Sequence, residues 1–257
     1  MNNTSLRVNR LSESATIAMA RKARELKSQG QDVISLSLGE PDFYTPDFIR
    51  DAAKQGIDQN YSKYMPVNGY LDLREAISKK FSRDNDINYT ADQIVVSTGA
   101  KQSIANVVLS CVNPGDEVIV PAPFWVSYEE IIKMAEGTPV FIETSIENDF
   151  KITPSQLKNA ITDKTKMMIY SSPCNPSGSV YSKDELRSLA DVLVNYPLIT
   201  IVSDEIYEHI NFTSKYFSMG AFSDMYNQVV TVNGVSKSFA MTGWRLGYIG
   251  APIWLAK

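Results

Sequence analysis

Seven short apolar runs recur along the chain, and each is followed by turn residues or by a segment of helical period. They read QIVVS (93–97), DEVIVPA (116–122), TPVFIET (138–144), TKMMIYSS (165–172), LITIVSD (198–204), VVTVNG (229–234) and RLGYIG (245–250). Several are too continuously apolar to keep one face in water, so the pattern predicts strands covered on both sides. Residues 14–29 read as a helix, with Ile17, Ala20, Ala23 and Leu26 on one side and Gly30 as its stop. Thr45 and Pro46 read as N-cap and first-turn proline of a second helix, and Thr153 and Pro154 of another. SKDE (182–185) is a capping box ahead of LRSLADVL. Strands alternating with such helices predict an α/β fold: a mainly parallel, doubly wound, seven-stranded sheet with helices on both faces. Ligands of such sheets gather beyond the carboxyl ends of the strands.

Bulk composition narrows the function classes. A chain of 257 residues holds one large domain or two smaller ones, and 44% hydrophobic with 21% charged residues is ordinary for a globular protein. A net charge of −4 makes nucleic acid a poor default partner. The longest apolar run near the N-terminus, ATIAMA, is too short for a signal-peptide core, and no run reaches membrane-span length. Cys111 and Cys174 make neither a disulfide framework nor a zinc spacing, so a reducing cytoplasm is the expected compartment. The one histidine, His209, reads as structural, and no metal site is expected.

Charge distribution changes the picture more. From Met225 to Ala256 only Lys237 and Arg245 are charged, where the chain average would put about seven. Burying an unpaired cation is costly, so two isolated cations in an apolar run imply an anion. A lysine in such surroundings loses its charge readily and becomes a nucleophile towards carbonyls. A Ser–Lys hydrolase is not supported, because Gly234 occupies the position three before Lys237.

The remaining strand ends supply further candidates, each with a plainer alternative. Thr98-Gly99-Ala100-Lys101 opens a helix whose free N–H groups suit a phosphate, or it is merely a cap. Trp125 follows a Pro-x-Pro turn and either stacks on a flat ring or packs in the core. Asn175 lies in NPSG, which is otherwise a turn. Asp204 ends an apolar strand, and its buried carboxylate needs a cation or donor that no sequence neighbour provides. Tyr207 is either packing or a phenol donor to the same site. Neither G-x-x-x-x-G-K-[ST] nor G-x-G-x-x-G occurs, so nucleotide loops are unsupported.

GVSKSFAMTGWRLG (234–247) closely resembles the pyridoxal-phosphate attachment signature of class-I aminotransferases. SLGEPDFYTP (37–46), YSKYMPVNGYLDLREAI (61–77), VSTGAKQS, PAPFWVSYEE, SSPCNPSG and SDEIYEHI follow in family order. The resemblance is to the bacterial aspartate aminotransferase subgroup that also holds aromatic and prephenate aminotransferases. It implies that Lys237 carries pyridoxal 5′-phosphate as an internal aldimine and shuttles the substrate proton. It implies that Asp204 pairs with the ring nitrogen, that Tyr207 and Asn175 bond the ring oxygen, and that Trp125 stacks on the ring. Arg245, with the backbone of Gly99, Ala100 and Lys101, would hold the phosphate. Tyr64 would reach the phosphate of the neighbouring subunit of a homodimer with shared sites.

Gly39, Trp125 and Asn175 would lie against the substrate, with Ser14 and Thr16 close by. Lys101 would meet the distal carboxylate of aspartate or glutamate, unless it only caps the site or faces solvent. Residues 1–45 would belong to a small domain and the substrate entrance, and 46–257 to the cofactor-binding large domain. Family members continue beyond APIWLAK with most of the small domain and an arginine for the substrate α-carboxylate. The resemblance therefore implies little activity for these residues alone. A lyase of the same fold and a non-catalytic binding module are the alternatives.

Overall fold

The structure, a computed structural model, describes residues 3–213 and 216–257. All seven expected strands form: β1 (Ile94–Ser97), β2 (Glu117–Pro121), β3 (Thr138–Ile142), β4 (Thr165–Ser171), β5 (Thr200–Asp204), β6 (Val229–Gly234) and β7 (Gly247–Gly250). They make one sheet in the order β1-β7-β6-β5-β4-β2-β3. The pairs β2–β3, β2–β4, β4–β5 and β5–β6 are parallel, whereas β7 is antiparallel to both its neighbours, β1 and β6. β7 thus begins at the edge where the other strands end, so residues just before it reach the carboxyl edge of the sheet.

The helices are α1 (Leu6–Asn9), α2 (Ala15–Ser28), α3 (Asp47–Asp58), α4 (Leu71–Asn85), α5 (Ala100–Cys111), α6 (Ser127–Met134), α7 (Pro154–Ala160), α8 (Lys183–Leu193) and α9 (Ile253–Ala256). The expected capping box forms, Ser182 with Glu185 at the start of α8. Thr153 caps α7 as expected, with Pro154 behind it and a capping box to Gln156 that the sequence reading did not name. Gly30, at φ 81°, closes α2, with Gln31 N–H donating to Leu26 O and Gly30 N–H to Lys27 O. One cap differs from the sequence reading. Pro46 is the N-cap of α3, and Thr45 instead donates its hydroxyl to Ala240 O at 2.7 Å. A tertiary acceptor took the hydroxyl that a local helix start would have used.

Side-chain alternation divides the core. Val118 and Val120 of β2 and Met167 and Ile169 of β4 pack with Ile104, Val108, Tyr128 and Ile132 of α5 and α6. Their neighbours Ile119, Met168 and Tyr170 face Leu157, Leu186 and Leu189 of α7 and α8. A third cluster joins Ile77 and Phe81 of α4 to Ile94 and Tyr248. Each fully buried aliphatic side chain contributes roughly 1.5–3 kcal/mol.

Residues 3–45 are held more lightly. Ser12 N–H donates to Glu130 of α6 at 2.8 Å and Arg10 pairs with Glu136, while Ala20 is the one buried residue of α2. Ile34, Leu36, Tyr44, Phe48, Ile57 and Val67 stand exposed. Among the described residues no helix is long and apolar enough to cross a membrane. Cys111 and Cys174 are both free thiols.

Candidate active site at the carboxyl edge of the sheet

Strand ends meet here in sheet order. Lys237 lies in the turn after β6, half-buried, and its Nζ donates to Gly39 O at 2.7 Å. The same ammonium sits 5.7 Å from the centre of the Tyr207 ring. Burial pulls the Lys237 pKa down, Glu40 opposes that, and Arg245 adds to it. Two further bonds fasten the 39–45 segment to this turn: Thr242 to Glu40 at 3.0 Å and Thr45 to Ala240. Glu40 is a residue that the sequence reading did not single out.

Arg245 departs from expectation in one respect. It is exposed, not buried, so the charge-poor run 225–256 describes the strands around it and not its own surroundings. Its φ of 58° is left-handed, a conformation that costs a non-glycine residue roughly 1–2 kcal/mol. Its guanidinium donates to Thr242 O at 2.7 Å and closes over Gly99, where a Cβ would overlap it. Gly99 itself is at φ 95°. Gly247 meets the backbone of Gly99 and Ala100 so closely that no side chain fits there either, which seats the start of α5 against β7.

The helix start is only partly available to a ligand. Gly99 N–H is already used by Ser97 O at 2.8 Å. Ala100 and Lys101 are the first two helical residues, whose N–H groups have no intrahelical acceptor. A permanent cation beside a helix N-terminus makes an anion cradle. Lys101 is exposed, with its ammonium 5.0 Å over the Trp125 ring, and burial followed by Arg245 lowers its pKa.

Asp204 ends β5 and is 4% exposed. Its donor comes from far along the chain: Tyr128 of α6 gives its hydroxyl to Oδ2 at 2.6 Å. Ile206 N–H reaches Oδ1 at 3.3 Å. Burial nonetheless raises the Asp204 pKa to about 6. Sequence reading missed Tyr128, and its one signal was a tyrosine three residues after Trp125 at a helix start. The two rings pack edge to face, 5.5 Å apart. Tyr207, which follows β5, is raised in pKa by burial and then by Asp204, and Asn175, which follows β4, opposes that rise.

The next residue, Glu205, faces the opposite side of the sheet. It is fully buried, accepts from Ser203 and Ser218 at 2.8 and 2.6 Å, and is raised to about 7 by burial. Strand alternation predicts this split for any adjacent pair, so the signal was present in the sequence. His209 lies near Asp84 and the buried Glu208, which also pairs with Lys80, and the buried amide of Asn85 donates to both Glu208 and Glu205. Tyr64 is fully exposed and joined to the site by no hydrogen bond or ring contact among the described residues. Ser14 and Thr16 are half-buried at the start of α2 and likewise make no hydrogen bond to the site.

A lysine, a buried carboxylate and a cation beside a helix N-terminus gather on the carboxyl edge of a doubly wound sheet, where α/β folds place their ligands. The profile of the family aminotransferase class I and II matches residues 31–256, and the chain belongs to that family. An aspartate/prephenate aminotransferase of Nitrosomonas europaea is 50% identical over 250 residues, covering 96% of this chain and 63% of that protein. One from Cereibacter sphaeroides is 47% identical and covers 96% and 62%. Among solved structures, an aspartate aminotransferase of Thermus thermophilus with maleate superposes with a TM-score of 0.96 at 42% identity, covering all of this chain and 66% of that one. That of Rhizobium meliloti gives 0.96 at 38% identity and covers 64% of its chain. The chain thus spans less than two thirds of the length of these relatives.

Proposed function

We propose that this chain is the cofactor-binding part of a pyridoxal-phosphate-dependent aminotransferase that moves an amino group between aspartate or glutamate and a 2-oxo acid. The observation that carries the reading is a desolvated lysine amine, Lys237, sharing one sheet edge with a buried, cation-free carboxylate, Asp204. The donor set suits that cofactor: an amine for an aldehyde, a carboxylate for a cationic ring nitrogen, and the Arg245–Gly99 cradle for a phosphate.

Pyridoxal phosphate, when bound, supplies an electron-accepting ring that stabilises negative charge on a substrate carbon. The chain's own residues do the rest. Lys237, its charge disfavoured by burial, offers a nucleophilic amine at neutral pH and afterwards holds and returns a proton at Nζ. Asp204 holds the ring nitrogen as a cation. Tyr207 and Asn175 would orient the ring oxygen, and Trp125 would pack against the ring. Arg245 and the N–H groups of Ala100 and Lys101 anchor the phosphate, with Gly99 admitting the guanidinium.

The exposed ammonium of Lys101 supports a dicarboxylic substrate, as does the maleate in the Thermus thermophilus relative. Relatives named aspartate/prephenate aminotransferase favour prephenate as a second acceptor. Gly39, held against Lys237, contributes backbone to the substrate side, and residues 1–45 form the entrance in front of the large domain 46–257. Exposed Tyr61, Tyr64, Met65 and Val67 support a homodimer in which Tyr64 reaches the partner's site. Two free thiols fit a reducing cytoplasm. Turnover by residues 1–257 alone is expected to be low, since the family resemblance puts the α-carboxylate arginine outside them.

Borohydride treatment of the chain with pyridoxal phosphate, followed by peptide mass mapping, tests the core of this reading. Label fixed on Lys237, and lost in Lys237→Ala, is the expected result. A folded chain that carries no label, or carries it elsewhere, rules the reading out.

A further inference from the structure

Alternation along β5 turns Asp204 towards the α5–α6 face, where Tyr128, 1% exposed, opens the first turn of α6. Tyr128 N–H donates to Trp125 O at 2.9 Å, and the edge-on indole fixes the phenol ring. The hydroxyl therefore points at Asp204 by construction of the turn, and its 2.6 Å distance is that of a charge-assisted bond. Titratable groups facing this carboxyl are few: Tyr128 from α6 and Tyr207 from the loop after β5, with the Cys174 thiol after β4 bearing on Tyr128. Among the described residues no cation bears on it. A carboxylate so enclosed, left with only the longer bond from Ile206 N–H, reverts to the neutral acid.

We propose that Tyr128 is the positioning residue of this site, its hydroxyl keeping the Asp204 carboxyl ionised and turned to receive the cationic ring nitrogen of the cofactor. The inference rests on the reading of the site as one for pyridoxal phosphate. Tyr128 touches neither cofactor nor substrate in this role and acts through Asp204 alone. Removing the hydroxyl while keeping the ring, as in Tyr128→Phe, leaves the contact with Trp125 intact and changes only the charge state and aim of the carboxyl.

The test begins on the cofactor-free chain, with carbon-13 aspartate and Asp204 assigned through Asp204→Asn. The Asp204 midpoint is expected to rise by at least about one pH unit in Tyr128→Phe, a tenfold change in proton affinity. With pyridoxal phosphate, the variant is expected to bind about tenfold more weakly at neutral pH, while an analogue with carbon in place of the ring nitrogen binds both chains alike. An unmoved Asp204 midpoint in a folded variant overturns the proposal. Should Tyr128→Phe not fold, the wild-type chain still decides. Its Tyr128 ring-carbon resonance must titrate with the Asp204 midpoint, and independent titration overturns the link. Failure of the wild-type chain to take up pyridoxal phosphate overturns the cofactor reading instead, and the two failures are read from separate measurements.

Discussion

The side-chain nitrogen of Lys237 donates to the carbonyl oxygen of Gly39, 198 positions earlier in the chain, and Glu40 beside it bears on the same ammonium. Burial holds the Lys237 pKa below that of an ordinary lysine, and Glu40 pulls it back up. Reaction of Lys237 with an amine-acylating reagent, followed by mass spectrometry across pH, is expected to show a midpoint below that of the surface lysines. In Glu40→Gln the midpoint should fall further, because the opposing charge is gone while the amide oxygen still accepts from Thr242. A midpoint that rises in the variant contradicts this assignment.

Gly99 and Arg245 share space that admits no Cβ, and Gly99 also needs a positive φ. Gly99→Ala is therefore expected to push the guanidinium out of the cradle and to cost about 1–3 kcal/mol of stability. Titration with pyridoxal phosphate and with unphosphorylated pyridoxal separates the two consequences. Gly99→Ala and Arg245→Leu should each weaken the phosphate form tenfold or more, and barely affect pyridoxal. Equal losses for both compounds would show that the cradle does not hold the phosphate.

Asp204 and Glu205 stay protonated in the folded chain to about pH 6 and about pH 7, well above the values of the unfolded chain. The folded state then binds more protons between pH 4 and 7, so stability from these groups is complete at low pH and is lost as pH rises. The loss reaches at most about 3 kcal/mol for each group. Urea unfolding of Glu205→Gln, which keeps an acceptor for Ser203 and Ser218, should show the variant gaining on the wild type from pH 5 to pH 8. A difference that stays constant with pH would refute the buried, titrating Glu205.

Leu186 of α8 is fully buried against the second face of the sheet, whereas Leu198 is 81% exposed. Leu186→Ala is expected to cost about 2–5 kcal/mol, and Leu198→Ala less than about 0.5 kcal/mol. Chemical denaturation of the two variants distinguishes a packed α8 from a loosely docked one.

Much of this was legible in the residues taken in order. The seven strands, the Ser182 capping box, the Thr153 cap and the helix closed by Gly30 are local events, in which neighbours a few positions apart satisfy each other's hydrogen bonds or share a face. Lys237 stood out for a local reason too, as a cation in a stretch whose strands are buried on both sides. Asp204 was visible as an acid ending such a strand, but its donor Tyr128 was not, since it lies 76 positions away. Nor did local pattern reveal that Arg245 is exposed, that Thr45 would give its hydroxyl to Ala240, or that Gly39 would receive Lys237. Those pairings depend on the order of strands in the sheet and on the reversed direction of β7, which carries Arg245 to Gly99. Periodicity along the chain reports which face of each element is dry. Which distant side chains then meet is decided only when the elements pack, because bonds between them depend on positions that no local spacing specifies.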